Sequence, residues 1–248
     1  MRHDHATVLR PWLPLTLALA LASGGCLLMV ALRVAVTGSF RYVFLLWNLF
    51  LAWIPYALAL AVRRVAGAAA ADAEAPAGAP AAATKPLAIL LAVAWLFFYP
   101  NAPYILTDFI HLVRTPVRVE PRHALITANA VLWYDIILHA CFAFIGHIIG
   151  LISLLLLHRI IRRRYGRRWG WGFVAAATVL GGYGIYLGRF ERLNSWDVVR
   201  DPLPTLRTAF ANLLNLKAAL VSLCFALFIF STYIAVAALY NTARHEKT

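Results

Sequence analysis

Six long apolar runs cover most of this chain, at Leu13–Leu32, Val43–Val62, Leu87–Leu106, Ile136–Leu157, Trp169–Leu187 and Ala218–Tyr240. A bilayer core about 30 Å thick takes about 20 apolar residues at a rise of about 1.5 Å each. Each run is long enough to cross a membrane. The expected fold is therefore all-α: a polytopic membrane helix bundle of about six transmembrane helices, with a short helix on its outer surface.

Composition matters here because it excludes the alternatives. Hydrophobic residues make up 62% of the chain and charged residues 13%, with a mean hydropathy of +0.75. An ordinary soluble domain is nearer a quarter charged. The net charge of +13 invites a nucleic-acid reading. That reading fails because the basic residues sit at the ends of apolar runs, where Lys and Arg anchor helices and set their orientation. The expected partner is the lipid bilayer, with no nucleic acid and no protein partner specified. Cys26, Cys141 and Cys224 all fall inside apolar runs at no metal spacing, and such thiols behave as small hydrophobes. The stretch Ser23-Gly24-Gly25-Cys26 loosely resembles a lipoprotein cleavage signal, but the apolar run continues past Cys26, so it reads as a retained first helix.

Charge counting gives an orientation. With both termini cytoplasmic, the inner segments carry Arg2, Arg10, Arg63, Arg64, Lys85, six arginines between Arg159 and Arg168, Arg244 and Lys247. The six arginines weigh most, because they fall in what reads as a loop of about a dozen residues, and short loops dominate orientation. Residues 1–248 form one membrane domain. Within it, residues 66–84 are almost entirely Ala, Gly and Pro and read as a flexible cytoplasmic linker. The outer segment 188–217 has Leu203, Leu206, Phe210, Leu213 and Leu214 at helical spacing, which suits either an amphipathic surface helix or an outward extension of the sixth span, and both would form a lid over the outer ends of the spans.

The remaining polar residues fall into motifs at the outer ends of the runs. The third run ends in Pro100-Asn101-Ala102-Pro103, where each proline removes a donor and the helix should kink or end. The freed carbonyls need partners, and the Asn101 side chain can supply one. Asp108 and His111 follow three residues apart. Asp135 opens the fourth run, with His139 one turn deeper. Beyond the fifth run lie Arg189, Arg192, Asn194 and Asp197, with Asn48 near the outer end of the second run. Arginines offer forked donors to a phosphate or carboxylate. Asn194 or Ser195 is placed to cap a short helix ending before Pro202.

Taken together, the strings Asn48 with Ala52-Trp53-Ile54-Pro55-Tyr56, Phe98-Tyr99-Pro100-Asn101-Ala102-Pro103-Tyr104-Ile105, Thr107-Asp108 with His111, Trp133-Tyr134-Asp135 and Gly188-Arg189-Phe190 with Arg192 and Asn194-Ser195-Trp196-Asp197 resemble a bacterial multi-pass membrane family. That family is catalogued only as a domain of unknown function. The resemblance covers most of the chain beyond the first run. It implies an inner (cytoplasmic) membrane location and supplies no activity.

These observations favour an outward-facing polar pocket for a small anionic or lipid-headgroup-like ligand, built from Asn48, Asn101, Asp108, His111, Asp135, Arg189, Arg192, Asn194 and Asp197. Ionisable groups at a membrane face persist most easily when they pair or line a wet cavity. The alternatives are a metal-assisted enzyme acting on an envelope or lipid-linked substrate, and a structural subunit of a membrane complex. For the metal reading, Asp108, His111, Asp135 and His139 could supply ligands to one divalent ion. The favoured reading has no metal or other cofactor, with the nearby arginines neutralising Asp108, Asp135 and Asp197 instead.

Overall fold

Burial sorts the helices into one central span and five around it. The computed structural model describes residues 12–73, 84–113 and 127–245. Helix α1 is Leu13–Thr37, α2 is Phe44–Ala73 and α3 is Thr84–Phe98. Short helices α4 (Asn101–Tyr104) and α5 (Ile110–Val113) flank a 3₁₀ turn at Ile105–Phe109. They are followed by α6 (Ala128–Tyr165), α7 (Arg167–Phe190), α8 (Asp197–Arg200), α9 (Pro202–Asn212) and α10 (Leu216–His245). Six helical segments are long and apolar enough to cross a membrane, with α3 through α5 together forming the third.

The middle of α6 is apolar on every side, and a helix of that kind belongs inside a bundle. The protein buries 72% of its apolar window, against 22% for α1 and for α10. Leu138, Phe142, Ile149, Leu154 and Leu156 of α6 are fully enclosed. Small residues let the neighbouring backbones close in. A Cβ on Gly150 would lie 2.8 Å from the Ala102 methyl, and one on Gly182 of α7 would run into the Ser222 backbone of α10. Successive spans alternate in direction. The C-terminal ends of α1, the third span and α7 therefore gather at one end of the bundle with the N-terminal ends of α2, α6 and α10. We call this the polar end.

The third span breaks as its prolines require. Pro103 has no N–H to give the Tyr99 carbonyl, so the Ala102 N–H takes that oxygen at 3.2 Å. This leaves the Phe98 carbonyl, and Asn101 Nδ2 donates to it at 3.0 Å, as the sequence led us to expect. Two other expectations change. The arginine-rich stretch is not a loop: α6 runs on through Arg162, Arg163 and Arg164, and α7 restarts at Arg167. Arginine is a good helix former, so the helix outlasts the apolar run. The whole turn is Gly166, at φ 93°, a conformation that favours glycine. Likewise α2 continues through Ala73, because its alanines propagate helix beyond the apolar run. Residues 74–83 of the expected linker and both chain ends lie outside the described residues.

At the polar end, α9 occupies the place expected for the surface helix. Leu203, Leu206 and Phe210 remain exposed, with Leu213 and Leu214 just beyond, so its apolar side faces outward, toward lipid.

Candidate functional site

The polar end holds three separate groups of side chains. In the first, Arg33 from the last part of α1 meets Asp135 from the first turns of α6. Arg33 Nε donates to Asp135 Oδ1 at 2.6 Å and Nη2 donates to Oδ2 at 3.1 Å, with both side chains fully enclosed. Arg33 Nη1 also donates to the Ser39 carbonyl, and the guanidinium lies 4.3 Å from the centre of the Tyr42 ring. His139, one turn below, places Nδ1 2.8 Å from the Asp135 carbonyl. A carbonyl can only accept, so Nδ1 carries the proton and Nε2 is an acceptor. Among the described residues, that Nε2 has no hydrogen-bond partner, and the buried Tyr42 hydroxyl lies beside the Asp135 carboxylate. The two rings meet edge to face at 4.5 Å.

The second group centres on Asp108, in the 3₁₀ turn and 2% exposed. Asn48 Nδ2 donates to its Oδ2 at 2.6 Å, and Arg189 Nη1 stands off Oδ1 at 3.9 Å. His111 packs its ring on Phe44 at 4.8 Å and its carbonyl accepts from Arg41.

The third group ties the lid to the bundle. Asn101 Nδ2 donates to Ser195 Oγ at 2.8 Å, the Trp47 and Trp196 rings sit 6.3 Å apart, and the Tyr183 hydroxyl donates to the Ala209 carbonyl. Tyr186 reaches Asn212 Oδ1 at 3.0 Å. Among the described residues, Asp197 pairs with no arginine. Its Oδ2 accepts from the Asn194 N–H at 2.6 Å and from Asn194 Nδ2 at 3.2 Å, closing the turn that leads into α8, whose first residue is Asp197; neither Asn194 nor Ser195 is the cap, a position that Trp196 occupies. Arg192 is exposed, and its backbone is left-handed, at φ 59°. With the Leu193 N–H on the Leu187 carbonyl at 3.2 Å, it occupies the position that ends α7, usually a glycine.

Beneath the lid lies a cavity of about 470 Å³, walled by α2, the third span and α7. Its upper part carries Asn48, Asn101, Tyr104, Asn194, Ser195 and Thr205 among apolar residues that include Leu187, Trp196 and Leu206, and its deeper wall carries Leu51, Leu96, Phe97 and Leu180. Among the described residues, no Lys, Arg, Asp or Glu lines it. Trp47, Phe97 and Leu180 line it and are also exposed on the outer surface of the bundle, so the cavity opens sideways, where lipid tails would lie.

Of the residues expected to share one pocket, Asn48, Asn101 and Asn194 line this cavity, and Asp108 stands one hydrogen bond behind Asn48. Asp135, His111, Arg189, Arg192 and Asp197 do not line it. Among the described residues, no three His, Cys, Asp or Glu side chains gather as a metal site would need. Sequence reading passed over Arg33 as the partner of Asp135. Its signal was present: it is a lone charge in a helix that stays apolar beyond Leu32, and such charges almost always pair.

A bundle of six apolar spans, with a kinked third span and a lidded lateral cavity at one end, defines a multi-pass membrane protein. The chain belongs to the family described as Protein of unknown function (DUF1361), which it matches over residues 47–232. No curated protein and no solved structure matches it. The match includes Asp135 and leaves out α1, so the arginine that neutralises Asp135 comes from outside the matched segment.

Proposed function

We propose that the lateral cavity binds a membrane amphiphile, with its headgroup against Asn48, Asn101 and Ser195 and its apolar part against Leu51, Leu96 and Leu180. The observation that carries this reading is that the cavity's amide and hydroxyl groups all lie toward the lid, whereas its deeper wall of Leu51, Leu96, Phe97 and Leu180 is apolar. Ligand sites commonly pair an apolar lining with a few placed polar groups. Among the described residues the wall offers amide and hydroxyl groups, which suits a headgroup that hydrogen-bonds through hydroxyls or amides. In this reading the protein sits in the bacterial inner membrane, with both termini and the arginine-rich turn in the cytoplasm and the cavity facing out. The thirteen basic residues on the inner side, against ten on the outer, support that orientation, with six of the thirteen concentrated between Arg159 and Arg168.

The test is native mass spectrometry of the protein released from nanodiscs. Wild type should retain an amphiphile above its share of the surrounding lipid. Ala209→Trp, which projects a ring from the lid into the cavity, should lose most of it while keeping the wild-type melting temperature. Retention of bulk lipid only by wild type, or undiminished retention by a folded Ala209→Trp protein, would contradict the proposal.

A further inference from the structure

At the end of the bundle opposite the cavity, we propose that the α6–α7 turn is a binding site for the phosphate of anionic phospholipids. Arg162, Arg163 and Arg164 form the last turn of α6, Arg167 and Arg168 open α7, and all five are exposed. From Ile136 to Phe190 the chain has no Asp or Glu, so nothing within this hairpin balances them. The helix ends do not account for all five. Arg162, Arg163 and Arg164 suit the negative C-terminal end of α6, but Arg167 and Arg168 stand at the positive N-terminal end of α7, where a cation is disfavoured.

A second helix adds to the cluster. Arg163 lies close enough to Arg63 of α2 for their charges to repel. Arg63 is held over the Trp12 ring at 5.5 Å, and Arg159 lies over the same ring at 5.7 Å and over Tyr240 at 4.5 Å. Aromatic rings from α10 and from just before α1 therefore brace guanidinium groups from α2 and α6 in one place. Guanidinium groups match phosphate oxygens in forked geometry, which suits the five exposed arginines of the turn.

Depth selects the source of that phosphate. From Asp135 to Arg162, α6 rises about 40 Å, close to the full thickness of a bilayer with its headgroups. The turn therefore lies at the level of lipid phosphates, and the exposed rings of Tyr165 and Trp169 beside it suit the same layer.

The full-length protein in mixed nanodiscs of phosphatidylglycerol and phosphatidylcholine tests this by native mass spectrometry of retained lipid. Wild type should retain phosphatidylglycerol over phosphatidylcholine. Arg163→Gln with Arg167→Gln should cut that preference, by about five-fold for each arginine removed. Arg200→Gln with Arg207→Gln, at the polar end, should leave it intact, and melting temperatures show that each variant is folded. Inorganic phosphate at millimolar concentration should not displace the lipid. Equal retention of the two lipids by wild type, equal losses in the two double variants, or full displacement by inorganic phosphate would each overturn the proposal.

Discussion

Arg33 and Asp135 show how one residue pair fastens a peripheral span. Only 22% of the apolar window of α1 is buried, and besides the Tyr134 hydroxyl on the Met29 carbonyl the helix is held to α6 by a guanidinium that meets both carboxylate oxygens out of contact with water. Removing one partner of such a pair strands a charge and costs about 3–5 kcal/mol, whereas replacing both by apolar groups of similar volume is often neutral. Arg33→Met and Asp135→Leu should therefore each lower stability by that amount, and the double variant should recover most of it. Unfolding in detergent reads the cycle, and additive losses in the double variant would show that the pair contributes little. The pairing also marks the limit of sequence reading at this scale. Asp135 was legible as a charge needing compensation, but the choice among Arg33, Arg189 and Arg192 depends on which helix packs beside α6. Nothing local in the sequence encodes that choice. Arg192 is instructive for a different reason, since its backbone position, which ends α7, says more about it than its charge does.

At the scale of elements, the spans follow from apolar run length and the third-span break follows from Pro100 and Pro103, so both were readable in advance. Helix ends were less so, because arginine and alanine extend helices past the apolar boundary, as α6 and α2 do. Which face of each helix meets a neighbour is recorded in the glycines. Both Gly172 and Gly182 lie within α7, but a Cβ at Gly172 would meet nothing, whereas one at Gly182 would strike the α10 backbone. Gly172→Ala should raise stability by about 0.5–1 kcal/mol through the lower entropy cost of ordering alanine in a helix. Gly182→Ala should destabilise by more than it gains, because the backbone of α10 has no flexible atom to yield. Thermal melts of the two variants side by side check this, and a stabilised Gly182→Ala would show that α7 and α10 are not held so closely.

For the whole molecule, alternating spans bring every polar motif to one end and the exposed arginine corner to the other. Convergence at one end was legible from counting crossings. The division into three groups was not, because it depends on side chains that find their partners only once the bundle is packed. The orientation carries its own test. In intact cells, a membrane-impermeant maleimide should label Val199→Cys, whose parent residue is 87% exposed in the lid. It should reach Arg164→Cys only after permeabilisation, and the reverse pattern would invert the topology. The most direct measurement of the central claim is a cryo-electron microscopy density map of the protein in a lipid nanodisc. The account predicts an elongated density entering the cavity between Phe97 and Leu180, its wider end within hydrogen-bonding distance of Asn101 and Ser195. A cavity that is empty, or that holds only discrete waters, would contradict it.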